Sequence, residues 1–221
     1  DQPRLVNGNP DAMAGSYLGP AYSDEDIATR LKAAGAQLSI LDDEELLGAI
    51  AEALADGKVI GWFQGRMEWG PRALGNRSIL ADPRRADMKD ILNAKIKRRE
   101  SFRPFAPSVL REAAGEWFET DDDVPFMMKV FQIRPEKRDQ IPAITHVDGS
   151  GRLQTVRREA NPRYHRLIAD FRAPTAVPMV LHTPFNENEP VACRPEQAPP
   201  SLLPPHMAAL GLGAPLVAPR P

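Results

Sequence analysis

The sequence predicts a single α/β or α+β domain, and three features predict it. Short apolar runs of strand length alternate along the chain with segments of helical period, turn residues separate them, and no internal repeat interrupts the order. The 221 residues suffice for one sizeable core. Hydrophobic content of 42% with 26% charged residues is ordinary for a globular chain, and the net charge of -2 gives no bulk attraction to nucleic acid or membrane. One cysteine, Cys193, can form neither an intrachain disulfide nor a thiolate metal cluster, which makes cytoplasm the expected compartment. No apolar run has the length of a membrane span, and the start at Asp1 lacks both a signal-peptide layout and an initiator methionine, so the chain is expected to begin inside a longer polypeptide.

The elements follow in order. The first twenty or so residues, rich in Gly, Pro, Asn and Asp, read as a linker with little core. Ser23, with Asp26 three positions on, caps a short helix carrying Ile27, Leu31 and Ala34 up to Gly35. A second helix from about Asp43 places Leu46, Leu47, Ile50 and Leu54 on one stripe and stops at Gly57. Lys58 to Phe63 is a buried strand, and a second apolar run covers Ser78 to Ala81. Met88, Ile91, Leu92 and Ile96 mark a helix that ends in cations. Ala106–Leu110, Phe126–Ile133, Ile141–Val147 and Leu153–Val156 read as strands, with a turn at Asp148-Gly149. Asn161-Pro162 starts a helix whose apolar face is Tyr164, Leu167, Ile168 and Phe171, and Val177–Leu181 is a further strand. Beyond Ala198 the prolines predict neither a regular helix nor a central strand.

Two segments carry candidate chemistry. Between the first two strands, Gln64 to Gly75 packs three glycines, a proline and two arginines, with Arg77 just beyond. Glycines let backbone N–H groups approach an anion, and guanidinium forks match phosphate oxygens. The pattern is neither a Walker loop nor a dinucleotide fingerprint. Glu68 could clamp an arginine or hold a magnesium ion bridging phosphates; the plainer alternative is a surface loop whose arginines pair with local acids. The second segment, Lys95 to Phe105, is more basic and is interleaved with aromatics. In a slightly acidic protein it suits a small polyanion or a solvated helix end better than nucleic acid.

Four blocks in order, GWFQGRMEWGPRALGNRSILADPR, LNAKIKRRESFRPFAPSVL, THVDGSGRLQTV and HTPFNENEPVACRPEQA, resemble the C-terminal region of the carbamoyltransferase family of nodulation and antibiotic O-carbamoyltransferases. The resemblance covers roughly residues 45 to 198, and SYLGPAYSDEDI is similar to the family's bridge from its N-terminal domain. It implies a YrdC/Sua5-like fold, a twisted open mixed sheet with flanking helices and a basic concave face. That fold would condense carbamoyl phosphate with ATP, carried as its magnesium complex, to carbamoyl adenylate. A Kae1-like N-terminal partner domain, holding a metal and the acceptor hydroxyl, would complete the transfer. The resemblance divides the chain into a linker and domain remnant at 1–42, the YrdC-like domain at 43–198 and a Pro-rich degenerate tail at 199–221.

By the same resemblance Arg72, Lys97 and Arg99 are the catalytic cations, and Arg66, Glu68, Arg77, Ser78 and Arg103 bind the nucleotide or carbamoyl donor. Arg98 falls off the pattern and is expected to face solvent. His146, Asp148 and Arg152, which the resemblance also puts among the substrate- or nucleotide-binding residues, lie at a hairpin-like turn from which Arg152 could close over the nucleotide. His146-x-Asp148 alone is an ordinary turn pair rather than a metal site, so no metal ligand is assigned. Thr183 and Asn186 either contact phosphate or ribose or cap a turn. The family usually reads Asn-Thr-Ser-Phe-Asn where this chain has His182 to Asn186, with Pro184 in place of the serine. Three readings follow: an active carbamoyl-activating domain, a silent nucleotide-binding remnant, or an RNA-binding YrdC-like module.

Overall fold

Capping residues place the helix boundaries of this protein. In the computed structural model the described residues are 11, 13–36, 38–187, 189–197, 207–212 and 215–217. The Ser23 side chain accepts from the Asp26 amide at 3.1 Å and starts helix α1, Asp24–Ala33. After strand β1, Leu38–Ile40, a capping box between Asp42 and Glu45 starts α2, Asp43–Ala55. Gly57, at φ +78°, ends it in the left-handed region that favours glycine.

Strands β2, Val59–Phe63, and β3, Arg77–Ala81, are buried along their whole length and pair antiparallel, Ile60 opposite Leu80 and Phe63 opposite Arg77. Continuous apolar runs read as interior strands for this reason: both faces are covered. Helix α3, Met88–Ile91, continues into a π-helical turn over Leu92–Ile96, so the predicted helix is present but widened at its end. Strand β4, Ala106–Leu110, and a short helix α4, Ala114–Trp117, follow. The chain then forms β5, Val130–Gln132, β6, Ser150–Arg152, and β7, Gln154–Val156. Helix α5, Pro162–Thr175, opens with the Asn161 side chain accepting from the Tyr164 amide, and β8, Met179–Pro184, returns through the sheet.

Among the described residues the main sheet is mixed and eight-stranded. Its order is β1, then β10 (Pro215–Val217), β9 (Met207–Leu212), β2, β3, β8, β4 and β7. The β9–β2 and β4–β7 pairs are parallel and the others antiparallel. Ile27 and Leu31 of α1 share one core with Leu46, Ile50 and Leu54 of α2, the central strands, and Tyr164, Leu167, Ile168 and Phe171 of α5. None of the described helices is long and apolar enough to cross a membrane.

Three expectations are corrected. Ile141–Val147 is not a strand: a turn of 3-10 helix over Pro135–Gln140 runs into further turns there, Ile141, Ala143 and Ile144 are buried within them, and the Ala143 amide donates to Pro83 O. An apolar run with a proline inside it packs equally well as a folded-over turn. Within Phe126–Ile133 only Val130–Gln132 is a strand, paired with β6 in a separate two-stranded sheet. The third correction is the largest. The prolines after Ala198 predict no central strand, yet β9 lies between β10 and β2, with Gly61 opposite Leu210. Met207–Leu212 is itself proline-free, so nothing in it obstructs a ladder. Asp1–Pro10 and the prolines at 199, 200, 204, 205 and 219 lie outside the described residues.

Candidate functional site

The connection from β2 to β3 is built around a buried carboxylate. Glu68 Oε1 accepts from the amides of Leu74 (2.7 Å), Asn76 (2.7 Å) and Arg77 (3.1 Å). Three N–H donors on one carboxylate oxygen fix the loop as a rigid body and leave that oxygen no capacity for an arginine or a metal. Gly75, at φ +101°, is required here, because a Cβ would sit 2.2 Å from the Tyr164 ring. Ser78 Oγ accepts from the Gly75 amide, and the indole of Trp62 donates to Gly75 O at 2.8 Å. Residues before α1 close the outside of the loop: the Trp69 amide donates to Ser16 O and the Tyr17 hydroxyl to Leu74 O.

Its two arginines and Arg77, the first residue of β3, have three different fates. Arg77 is fully buried, donates to the carbonyls of Gln64, Asn76, Pro20 and Gly65, and lies 3.5 Å over the Phe63 ring. Burial lowers its pKa to about 10, with the charge of Glu68 opposing, so it stays a cation at neutral pH. Arg66 is exposed and donates to Leu18 O. Arg72 is exposed and makes no hydrogen bond or ion pair among the described residues.

The basic segment owes its shape to the π turn. The Lys97 amide donates to Leu92 O, and Arg98 takes φ +43°, a reversal that turns Lys97 inward and Arg98 outward. Widened turns of this kind recur at functional sites, and a non-glycine residue at positive φ stores strain. Lys97 is buried, and its Nζ donates to Pro184 O and Asn186 O at 2.5 Å and to Asn186 Oδ1 at 3.0 Å. Burial, then the charge of Arg99, lowers its pKa to about 7. Arg99 is half-buried, held by Asn93 Oδ1 at 2.7 Å and stacked 4.9 Å over Phe105. Arg103 pairs with Glu100, and the exposed Arg98 with Glu187.

Arg152, at the end of β6, joins the two segments. Its pKa is lowered first by burial and then by the positive charges of Arg72 and Arg99, so Arg152 lies within the field of a cation from each segment. Arg103 in turn depresses Arg99, behind burial. Among the described residues none of Arg72, Arg99 and Arg152 forms an ion pair, and Arg152 Nε is buried without a partner. Glu100 is the acidic group that acts on Arg99, and the charge of the cluster stays positive, which suits an anion.

The remaining candidates divide. His146 and Asp148 form a turn through Ser150, whose hydroxyl donates to Asp148 Oδ1 at 2.6 Å and accepts from His146 Nδ1 at 3.1 Å. Hydrogen bonding to Ser150 holds the Asp148 carboxyl low, and burial lowers the imidazole of His146. Thr183 is buried opposite Ile79. Asn186 serves as the acceptor for Lys97 while its own amide donates to Glu189 O. Pro184 is accommodated: its carbonyl serves Lys97, and the next amide, Phe185 N, donates to Arg77 O.

The structure therefore gathers Arg72, Arg99 and Arg152, with Arg103 and Lys97 adjoining Arg99, while Glu68, Arg77 and Ser78 form the inner frame and Arg66 stands apart at Leu18. Two residues escape sequence reasoning. Asn93 is fully buried, orients Arg99, and donates to Ser101 O and Arg103 O. His182, within the apolar strand β8, is buried with both ring nitrogens unpartnered. A lone histidine amid strand residues was the available signal for the second; nothing distinguished the first.

Comparison with known proteins adds the family. The sequence profile for the carbamoyltransferase C-terminus matches residues 51–218, a span that takes in β9 and β10. The chain is 46% identical over 210 residues to nodulation protein NolO of Bradyrhizobium diazoefficiens, covering 93% of this chain and 38% of that protein. It is 45% identical over 148 residues to the 3'-hydroxymethylcephem-O-carbamoyltransferase of Amycolatopsis lactamdurans, covering 67% and 27%. An uncharacterized protein of Synechocystis is 50% identical over 218 residues, covering 88% and 35%. The chain thus spans roughly a third of the length of these relatives.

Proposed function

The chain belongs to the carbamoyltransferase C-terminal family, and on that premise we propose that it forms carbamoyl adenylate from carbamoyl phosphate and ATP. The product supplies the carbamoyl group to an acceptor hydroxyl held by a Kae1-like domain elsewhere in a longer polypeptide. The observation that carries this reading is that Arg152 lies within the positive fields of both Arg72 and Arg99, while none of the three forms an ion pair among the described residues.

Two anionic reactants repel each other, and the reaction requires both in one place. Water releases phosphate from carbamoyl phosphate and leaves carbamate; a carbamate oxygen then attacks the α-phosphorus of ATP, and pyrophosphate departs. Catalysis of such transfers rests on positioning and charge. Arg72, exposed at the tip of a rigid loop, and Arg99, aimed by Asn93 and Phe105, neutralise the phosphates from two sides. Arg152 enters from β6, and Arg103 extends the positive field. Lys97 holds the Pro184–Asn186 turn beneath Arg99, a positioning role. Magnesium arrives as part of the nucleotide, its ligands mainly phosphate oxygens and water. A YrdC/Sua5-like classification of the sheet goes with this reading; its support is the linear mixed strand order with cations gathered beside β8 and β6.

The test is exchange of labelled pyrophosphate into ATP by the purified chain, expected only when carbamoyl phosphate is present and lost in Arg72→Ala. A folded chain that binds ATP in a calorimeter but never exchanges is a silent nucleotide binder, and the proposal then fails. Affinity for RNA that falls steeply with salt, without exchange, would replace it by the RNA-binding reading.

A further inference from the structure

The tip of the β2–β3 loop, which carries Arg72, stands on two feet that the fold secures unequally. Leu74, the foot beyond Arg72, is held from inside: its amide donates to Glu68 Oε1 at 2.7 Å, and its carbonyl accepts from the Gln154 side chain at 3.0 Å. Between the feet Gly70, Pro71 and Arg72 are exposed, and a Cβ on Gly70 would meet nothing within 4 Å. Trp69, the foot before Arg72, is 70% exposed. Among the described residues Ser16 alone hydrogen-bonds it: the Trp69 amide donates to Ser16 O at 2.7 Å, and the Ser16 hydroxyl donates to Trp69 O at 2.9 Å. Ser16 is fixed in turn through its neighbour. The Tyr17 hydroxyl donates to Leu74 O at 2.8 Å and accepts from Asn161 Nδ2 at 3.0 Å, and the ring packs against the cluster of Leu74, Ala106 and Met127. Further along, the Gly19 amide donates to Met67 O and the Met67 amide to Pro20 O, both at 2.9 Å. A Cβ on Gly19 would lie 2.9 Å from Met67 O, so this approach requires glycine. Ala14, Gly15 and Ser16 take φ of +47°, +67° and +68°, and backbone in that region persists where its surroundings determine it, often at functional sites.

Ser16–Pro20 thus forms a strap that carries position from the fixed foot to the free one: Tyr17 takes it from Leu74, and Ser16 delivers it to Trp69. The strap lies outside residues 51–218, the span that the family profile matches. Resting on the reading above, we propose that Ser16 and Tyr17 are positioning residues of the reaction, which set the span between Trp69 and Leu74 and so aim Arg72 at the phosphates of the bound nucleotide. A guanidinium without an ion pair takes its direction from the backbone on which it stands. Releasing the free foot leaves the cation in place but widens its range, and a displacement of about 1 Å in a group that must meet the transition state can cost about a hundredfold in rate. Tyr17→Phe isolates this effect. It keeps the ring in its packing, leaves Leu74 O paired with Gln154, and leaves Asn161 Nδ2 paired with Asn76 Oδ1 at 2.8 Å.

The experiment uses the full chain carrying Tyr17→Phe or Ser16→Ala, each also combined with Arg72→Ala. Either strap variant is expected to lower carbamoyl-phosphate-dependent pyrophosphate exchange about tenfold at saturating substrates, with a urea midpoint close to that of wild type. Affinity for a non-hydrolysable ATP analogue, measured by calorimetry, separates positioning from general damage. Tyr17→Phe should weaken it about threefold while Arg72 is present and not at all in the Arg72→Ala background, because residues that act through one group are not additive. Fluorotryptophan labelling adds a local reading: the signal of Trp69 should shift in Ser16→Ala, while those of the buried Trp62 and Trp117 stay. Exchange at the wild-type rate in both folded variants, or an equal loss of affinity with and without Arg72, overturns the role of the strap. Absence of exchange in wild type overturns the carbamoyl-activation reading itself, and the aiming of Arg72 with it.

Discussion

The β2–β3 loop, Gln64–Gly75, and the segment Lys95–Phe105 are both rich in arginine, yet the fold uses them differently. In the first, folding absorbs nearly every polar group: Glu68 takes three amides on one oxygen, and beyond the loop Arg77 binds four carbonyls and a phenyl face. Of its cations only Arg72 faces outward without a partner among the described residues. In the second, the backbone reverses at Arg98, and the cations alternate between interior and surface: Lys97 inside, Arg98 out, Arg99 between. A cation's role follows from whether its local backbone leaves carbonyls to be satisfied. Where it does, arginine is architecture; where it does not, as at Arg72, the charge is left facing solvent.

The comparison breaks most clearly at Arg77. Arg77→Ala strands buried carbonyls and should lower unfolding free energy by more than about 3 kcal/mol in urea titrations. An unchanged urea midpoint would mean that the loop does not depend on its central guanidinium. Arg72→Ala should do the reverse, leaving stability within about 0.5 kcal/mol while reducing pyrophosphate exchange about a hundredfold or more. Loss of both together would make Arg72 part of the frame.

Lys97 sharpens the comparison through pH. Its folded pKa, about 7, lies below the ordinary 10.5, so between these values the unfolded chain binds a proton that the folded chain does not. Stability should therefore rise as pH increases from about 7 toward 10.5, and Lys97→Met should flatten that rise in pH-dependent melting curves. The smallest effect is expected at Arg98, which is exposed and bridges to Glu187 at the surface. Arg98→Ala should change stability by less than about 0.5 kcal/mol and exchange hardly at all. A large loss of exchange there would place the ligand on the outer side of the reversal.

Much of the scaffold was legible because its signals are local. Ser23, Asp42 and Asn161 cap helices through their own side chains, and the apolar runs of β2, β3 and β4 are buried on both faces as such runs imply. The misreadings share a cause. Ile141–Val147 has strand composition but no strand partner among the described residues, while Met207–Leu212 sits among prolines yet finds the parallel edge of β2. Pairing is a property of two segments, and neither segment alone encodes it.

The same division holds at the site. Residue order by itself determined the caps, the interior strands, the family blocks and the presence of two cationic segments, since these depend on neighbours within a few positions. Only tertiary structure decided that Arg77 belongs to the frame, that Arg152 feels the charges of both Arg72 and Arg99, and that His182 is buried with both ring nitrogens unpartnered. Burial and through-space charge set those outcomes, and both depend on which distant residues the folded chain brings within a few ångströms.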